Sequence, residues 1–364
     1  MVSPPVAWTI RTTHPEPQLD PAAVTGAVDR VLSRFLAEKL GCASTPQLPL
    51  FVGWLQEFLA GGKRLRPLLC YCGWQVGGAR GAPVAIARVA ASLELFHAFA
   101  LIHDDVMDDS ATRRGKPSAH RRIAADNPGH RSRDRLGVNA AILLGDLALG
   151  WSYDLVATAD LPSAPAAMVW RLLDAMRIET LSGQYLDLLT AGDPAADVET
   201  ALAIGRYKTA KYTIERPLQI GAVLAGANSA LLAACTEYAV PLGEAFQLRD
   251  DILAVFGDPA VTGKPNLDDL RDAKHTVLLA IARQRAEPAQ AAILAALVGN
   301  PGLDEEGAAR VRDVITSTGA RATVEQMISD RCRQARTTLE TAGFHPSGAV
   351  LLNHLISQVT DRDL

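Results

Sequence analysis

The chain has 364 residues, 48% of them apolar and only 5% aromatic, with a net charge of −4. Such a length suggests one large domain or two, and the aliphatic, alanine-rich bulk favours helices over sheets. The charge balance gives no pull toward nucleic acid or anionic membrane, and Cys42, Cys70, Cys72, Cys235 and Cys332 fit neither a disulfide framework nor a zinc site, so they are expected as free thiols of a reducing cytoplasm.

Residues 1–20 are rich in Pro and Thr and read as a flexible N-terminal tail. MVSPPVAWTIRTTHPEP has no basic start followed by an apolar run, so no signal peptide is expected. From about 21 to 364 the pattern is that of one helical domain. No uninterrupted apolar run reaches the ~18 residues that a membrane span needs. The first unusual stretch is GGKRLRP, 61–67, where Lys63, Arg64 and Arg66 follow two glycines. Glycines free the backbone and the cations suit an anion held without metal, although a basic surface turn has the same composition. It is not a Walker sequence, and no G-x-G-x-x-G follows a strand.

In VAIARVAASLELFHAFAL, apolar residues recur at three- and four-residue steps, and similar runs cover 137–158, 166–190, 229–254 and 322–340. No sustained period-two alternation is present, so the chain is expected to be all-α. The first of these helices runs into LIHDDVMDDSATRRG, with four aspartates in six residues. On a helix Asp104 and Asp108 share one face, a turn apart, with Asp105 to the side. Like charges at that spacing repel. Either water solvates them or a divalent cation does, and the apolar lead-in favours the cation. Hard oxygens on one face suit Mg²⁺, which takes one or two carboxylates plus substrate phosphates.

Residues 113–135 carry eight Lys/Arg against two Asp and read as a solvated loop, except that Arg113 and Arg114 sit nearest the carboxylates. A second apolar run ends in Asp250 and Asp251, with Lys264 and Lys274 downstream. Two acidic helix ends followed by cations suggest a cavity that holds metal between them, with phosphate bridging metal to Arg and Lys.

Taken in order, GGKRLRP, DDVMD, RRGKP, GQYLDL (183–188), KTAKYT (208–213), FQLRDD (246–251) and GDPAVTGKP (257–265) resemble the trans-isoprenyl diphosphate synthases, or polyprenyl synthetases, in particular those that make geranylgeranyl diphosphate. The resemblance runs from about 21 to 360. It implies an all-α isoprenoid synthase-type bundle around a deep central cavity, a homodimer and three Mg²⁺. Its substrates would be isopentenyl diphosphate and an allylic diphosphate: dimethylallyl, geranyl or farnesyl. By the same resemblance Asp104 and Asp108 hold two metals, Asp105 supports them and Asp250 holds the third. Arg113, Lys208 and Lys264 grip the allylic diphosphate, with Lys274 as a further substrate contact. Lys63, Arg66, His97 and Arg114 bind isopentenyl diphosphate. Gln247, Thr209 and Tyr212 line the reacting centre, with Gln184 and Asp187 nearby in roles not separated. His103 reads as a spacer.

Such a reaction needs no protein nucleophile, which agrees with a motif set dense in metal and phosphate ligands. Phe99 and Ala100, five and four residues before Asp104, are one bulky and one small, and the expected main product is the twenty-carbon geranylgeranyl diphosphate, with farnesyl or longer polyprenyl diphosphates as alternatives. The chain departs from the family pattern at Ala254, where many members carry Asp, and at Ala273 and His275 around Lys274. A terpene cyclase shares an acidic first motif but uses an N-x-x-x-S-x-x-x-E second motif, which is absent here. A non-catalytic subunit usually loses the first aspartates, and all are present.

Overall fold

The computed structural model describes residues 20–42, 45–193, 195, 197–257 and 267–360. Helices dominate: α1 (Pro21–Gly41), α2 (Leu48–Leu59), α3 (Leu65–Val76), α4 (Pro83–Met107), α5 (Ala119–Asp126), α6 (Arg133–Ala157), α7 (Ser163–Thr190) and α8 (Val198–Ile204). A π-helix, Gly205–Glu215, continues α8 without a break and leads into α9 (Arg216–Leu224). The long α10 (Ser229–Phe256) follows, then α11 (Asp268–Arg271), α12 (Val277–Arg285), α13 (Pro288–Leu297), α14 (Glu305–Ser317), α15 (Ala320–Thr341) and α16 (Pro346–Thr360). Among the described residues the sole sheet is a two-stranded ribbon, β1 (Thr112–Arg113) against β2 (Lys116–Pro117). The tail expected over 1–20 lies, apart from Asp20, outside the described residues. All five cysteines are free, and only Cys42 is exposed.

Local chemistry sets the helix ends. The Asp20 carboxylate accepts from the Ala22 amide, Asn228 caps α10 through the Leu231 amide, and Thr276 caps α12 through the Leu279 amide. The stretch 113–135, read from sequence as loop, holds the ribbon and α5 instead. Ala119, Ile123 and Ala124, with His120 buried among them, form the face of α5 that packs on α6, where Gly137 lets the His120 carbonyl approach.

Two apolar cores result. One gathers α1, α2, α4, α6 and α7; the other gathers α10 with the helices after it. α3 and α9 join them by crossing backbone to backbone: a Cβ on Gly73 would meet the Leu218 carbonyl oxygen at 1.9 Å, and one on Gly221 the Cys70 carbonyl oxygen at 1.8 Å. α4 is buried on nearly every side, and Asp104 and Asp105 stand in its last turn. By length and mean hydropathy α4 and α6 each reach the measure of a membrane span. Neither stretch is an uninterrupted apolar run, because charged residues break both. The α4 stretch is 78% buried inside the fold and the α6 stretch 50%, and a core helix passes the same test.

Candidate active site

Asp104 and Asp105 close α4 and Asp108 caps it, its amide bonded to the Asp104 carbonyl at 2.9 Å. The one-face geometry expected for Asp104 and Asp108 is therefore present. Asp105 points inward with no exposed surface. Arg113, on β1, donates from Nε to Asp105 Oδ1 at 2.9 Å and from Nη2 to Asp105, and reaches Asp104 Oδ2 at 3.3 Å. The ribbon thus folds the arginine back onto the acids that precede it.

The π-helix delivers Lys208 to the same place. Its Nζ lies 3.1 Å from Asp104 Oδ1 and 2.6 Å from Asp187 Oδ2 on α7. Lys274, after α11, donates to Asp108 Oδ2 at 3.0 Å and lies 3.7 Å from Asp269 Oδ1. Three cations from three elements therefore interleave with the carboxylates. Asp104 feels burial, which raises its pKa, but Lys208, Lys274 and Arg113 outweigh it and hold it below the ordinary value. Burial wins for Asp105 and raises it despite Arg113. Lys208 and Lys274 lose to burial less than they gain from Asp104, Asp187, Asp269 and Asp108, and both are raised.

On α10, Gln247 donates to Asp251 Oδ1 at 2.8 Å. Burial pushes the Asp251 carboxyl up to about 8, with Asp269, Asp250 and Asp187 adding to it. Asp187 and Asp269 thus act on Asp251 and also pair with Lys208 and Lys274, the cations of the first acidic cluster. Asp250, beside it, is half-buried. Thr209 is half-buried on the π-helix, and Gln184 donates to the Met107 sulfur, between Asp104 and Asp108, at 3.6 Å. Lys264 lies outside the described residues.

A cavity of about 430 Å³ opens beside this cluster, lined by Lys63, Arg64, Arg66, Glu94, His97, Arg114 and others. Arg66 stacks its guanidinium 4.2 Å from the centre of the Tyr212 ring and donates to Thr213 at 2.7 Å. The Tyr212 hydroxyl lies 3.1 Å from His97 Nδ1. His97 sits deep in the protein with one edge open to the cavity. Burial first, then Arg66, Arg114, Arg113 and Arg64, holds its pKa well below the ordinary value. A neutral imidazole that accepts from Tyr212 at Nδ1 has its Nε2–H left to donate. Tyr212 is thus tied to the basic cavity. Arg114 is lowered by burial and by its cationic neighbours, an environment that welcomes an anion.

His103 fills the hollow that Gly145 leaves on α6, its Nε2 3.0 Å from the Ile142 carbonyl oxygen and its ring 4.9 Å from that of Phe99. Phe99 is buried and Ala100 half-buried. Ala273 holds φ of +50°, a conformation suited to glycine, and His275 is buried against the Asp197 carbonyl. Of the six non-glycine residues with positive φ among the described residues, Arg64, Asp109, Arg114 and Ala273 all lie at or beside this site.

The residues fit a divalent cation. Asp105 Oδ2 is a buried oxygen without a hydrogen-bond donor, and Asp104 Oδ1 meets the Lys208 ammonium at 3.1 Å. Among the described residues no three His, Cys, Asp or Glu side chains close into a cage. Paired carboxylates suit Mg²⁺, which keeps water and takes substrate phosphates. Sequence reasoning missed Glu94, Asp269 and Thr213. A lone acid on the apolar α4 was the available signal for Glu94; Asp269 and Thr213 carried none.

The polyprenyl synthetase family pattern matches residues 49–315. The geranylfarnesyl diphosphate synthase of Aeropyrum pernix is 34% identical over 307 residues, covering 83% of this chain and 91% of that protein. The geranylgeranyl diphosphate synthase of Mycobacterium tuberculosis is 33% identical over 302 residues, 81% of this chain and 79% of that one. A crystal structure of geranylgeranyl pyrophosphate synthase from Corynebacterium glutamicum, complexed with isoprenyl diphosphate and magnesium, superposes with a TM-score of 0.90 at 37% identity, covering 95% of this chain and all of that one.

Proposed function

The chain belongs to the polyprenyl synthetase family and is a trans-prenyltransferase with the all-α isoprenoid synthase fold, and from that premise we propose that it extends an allylic diphosphate with isopentenyl diphosphate to geranylgeranyl diphosphate. The observation that carries the reading is the interleaving of Asp104, Asp108 and Asp187 with Arg113, Lys208 and Lys274 beside a separate basic cavity. One cluster suits a diphosphate that must leave with metal, the other a diphosphate that must stay.

In this reading Asp104, Asp108 and Asp250 hold three Mg²⁺, which when bound supply charge stabilisation to the departing diphosphate. Arg113, Lys208 and Lys264 hold the same group from the protein side, and Lys274 joins them once freed from Asp108. Lys63, Arg66, Arg114 and the Nε2–H of His97 hold isopentenyl diphosphate. The allylic C–O bond breaks, its electron pair leaving with pyrophosphate. The isopentenyl alkene attacks the allylic cation to form the new C–C bond, and pyrophosphate takes the proton that the resulting cation loses. Thr209 and Gln247 orient their dipoles toward the transient cation, and the apolar walls exclude water that would trap it.

Three further points belong to the proposal. Phe99, with Ala100 beside it, closes the product channel near twenty carbons. The chain works as a homodimer, supported by an exposed apolar face on α6 and α7 that includes Ile142, Leu143, Ile178, Leu181 and Leu189. Its buried free thiols suit the cytoplasm. Purified protein with Mg²⁺, labelled isopentenyl diphosphate and each allylic primer tests the assignment. The expected result is a twenty-carbon product that EDTA abolishes, and at least a ~10³-fold loss in Asp104→Ala and Asp108→Ala. Turnover that survives both EDTA and these substitutions would sink the reading.

A further inference from the structure

The three cations of GGKRLRP look alike in sequence, but they do not act alike. Lys63 is exposed and Arg66 faces Tyr212, whereas Arg64 turns inward and is 5% exposed. It holds a left-handed conformation, φ 48° and ψ 39°, at the cap of α3. Its guanidinium is saturated by three elements. Nη1 donates to Glu94 on α4 at 2.7 Å, Nε to Asp29 on α1 at 3.0 Å, and Nη2 to the Leu59 carbonyl at the end of α2 at 2.6 Å. Glu94 is 3% exposed and lies one turn before His97.

We propose that Arg64 and Glu94 are positioning residues for isopentenyl diphosphate, a role that rests on the reading of Lys63, Arg66, His97 and Arg114 as its site. A buried ion pair adds little net stability over an apolar pair of the same shape. What it adds is direction: the planar fork fixes α1, α2 and α4 relative to the loop. The left-handed turn at Arg64 then sends Lys63 and Arg66 to the cavity side while Arg64 goes to the core. The pair has a second effect. Among the side chains that line the cavity, Glu94 stands as a carboxylate among Lys63, Arg64, Arg66, Arg114 and His97. Arg64 neutralises it. Without Arg64 that carboxylate would be free to pair with Arg114, whose charge it already feels, and to repel an incoming diphosphate.

The sign of that second effect makes the test specific. Steady-state KM values for isopentenyl and allylic diphosphates are measured for Arg64→Met, Arg64→Lys, Glu94→Gln, Arg64→Met/Glu94→Gln and Lys63→Ala, with thermal midpoints alongside. Arg64→Met is expected to raise KM for isopentenyl diphosphate about tenfold or more while KM for the allylic substrate stays within about twofold, as loss of a charge-assisted bond predicts. Arg64→Lys, which keeps the charge and loses the fork, falls between, and serves if the Met variant does not fold. Adding Glu94→Gln to Arg64→Met recovers most of the lost affinity. A purely structural pair would raise both KM values together, or lower only the midpoint, and the double variant would then be no better than the single; either result overturns the proposal. If Lys63→Ala leaves KM for isopentenyl diphosphate unchanged, the site assignment itself falls and the proposal with it. If Lys63→Ala raises it and Arg64→Met does not, the proposal alone falls.

Discussion

A Cβ built on Gly183 would lie 2.3 Å from the amide nitrogen of Lys208. The backbones of α7 and the π-helix therefore touch where Lys208 is aimed at Asp104 and Asp187. On the other side a Cβ on Gly243 would meet that of Ala210 at 2.5 Å, so the π-helix is seated between two glycines. Gly183→Ala has to push it away. Overpacking of this kind costs about 1–3 kcal/mol, and a catalytic group displaced by ~1 Å can lose ~10²-fold in rate. Calorimetry should find a lower thermal midpoint and steady-state assays a lower kcat. A variant with both at wild-type values would show that the contact is slack.

The contribution of His97 to ligand-free stability should fall with acid below about pH 6.5, against the opposite contribution of Asp251, whose carboxyl burial pushes up to about 8. The folded protein holds His97 well below its ordinary value of 6.5, chiefly by burial and then by Arg66 and Arg114. The unfolded chain binds a proton at that ordinary value, so below it unfolding takes up a proton that the folded state refuses. Above it this group contributes no slope. His120, lowered by burial and by Arg121, adds to the same trend. Replacing His97 by Gln should therefore shift the change in urea midpoint from pH 7.5 to 5.5 toward stability, relative to wild type. Equal differences in the two proteins would show that His97 carries none of the effect.

Why some of this site could be read from sequence and some could not is visible in particular residues. Asp104 and Asp108 were legible because like charges on one face of an apolar helix have few explanations, and each motif marked its position along the chain. The π-helix was not: its i to i+5 bonding leaves no apolar period, and KTAKYT read as a motif without a conformation. The inward turn of Arg64 was hidden for a different reason. Its direction depends on Glu94, 30 residues later, and on a positive φ that the sequence does not announce. Lys274 was singled out, but its partner Asp269 was one of several aspartates in LDDLRDAK with nothing to set it apart. The ribbon and α5 were read as loop because the charges of 113–135 masked the small buried face of a short helix.

The exposed face of α6 and α7 sets up a test of assembly. Leu143, Ile178, Leu181 and Leu189 are 57%, 56%, 47% and 60% exposed, on adjoining helices that also carry Asp187 and the hollow for His103. An apolar face of this extent needs a cover in water. Light scattering of the purified protein should give twice the chain mass, and Leu143→Asp with Leu181→Asp should shift it to one. A wild-type monomer would leave that face without the partner proposed for it.

Phe99 offers the sharpest test of product length. It is 4% exposed, with its ring edge-on to Phe96 at 5.5 Å between centres and to His103 at 4.9 Å. His103 is itself fixed in the Gly145 hollow, so the aromatic stack cannot retreat toward α6 without moving that helix. If Phe99 limits the channel, Phe99→Ala removes the limit and the product should lengthen beyond twenty carbons on thin-layer chromatography. The truncation also leaves a cavity costing about 3–5 kcal/mol, so the assay belongs well below the melting transition, with Phe99→Leu as a milder companion that should lengthen the product less. Enlarging Ala100 acts in the opposite sense: Ala100→Phe adds a ring on the face that carries Asp104 and should shift the product toward fifteen carbons. Unchanged product length in Phe99→Ala, with turnover retained, would move the limit to other residues of the α4–α6 interface.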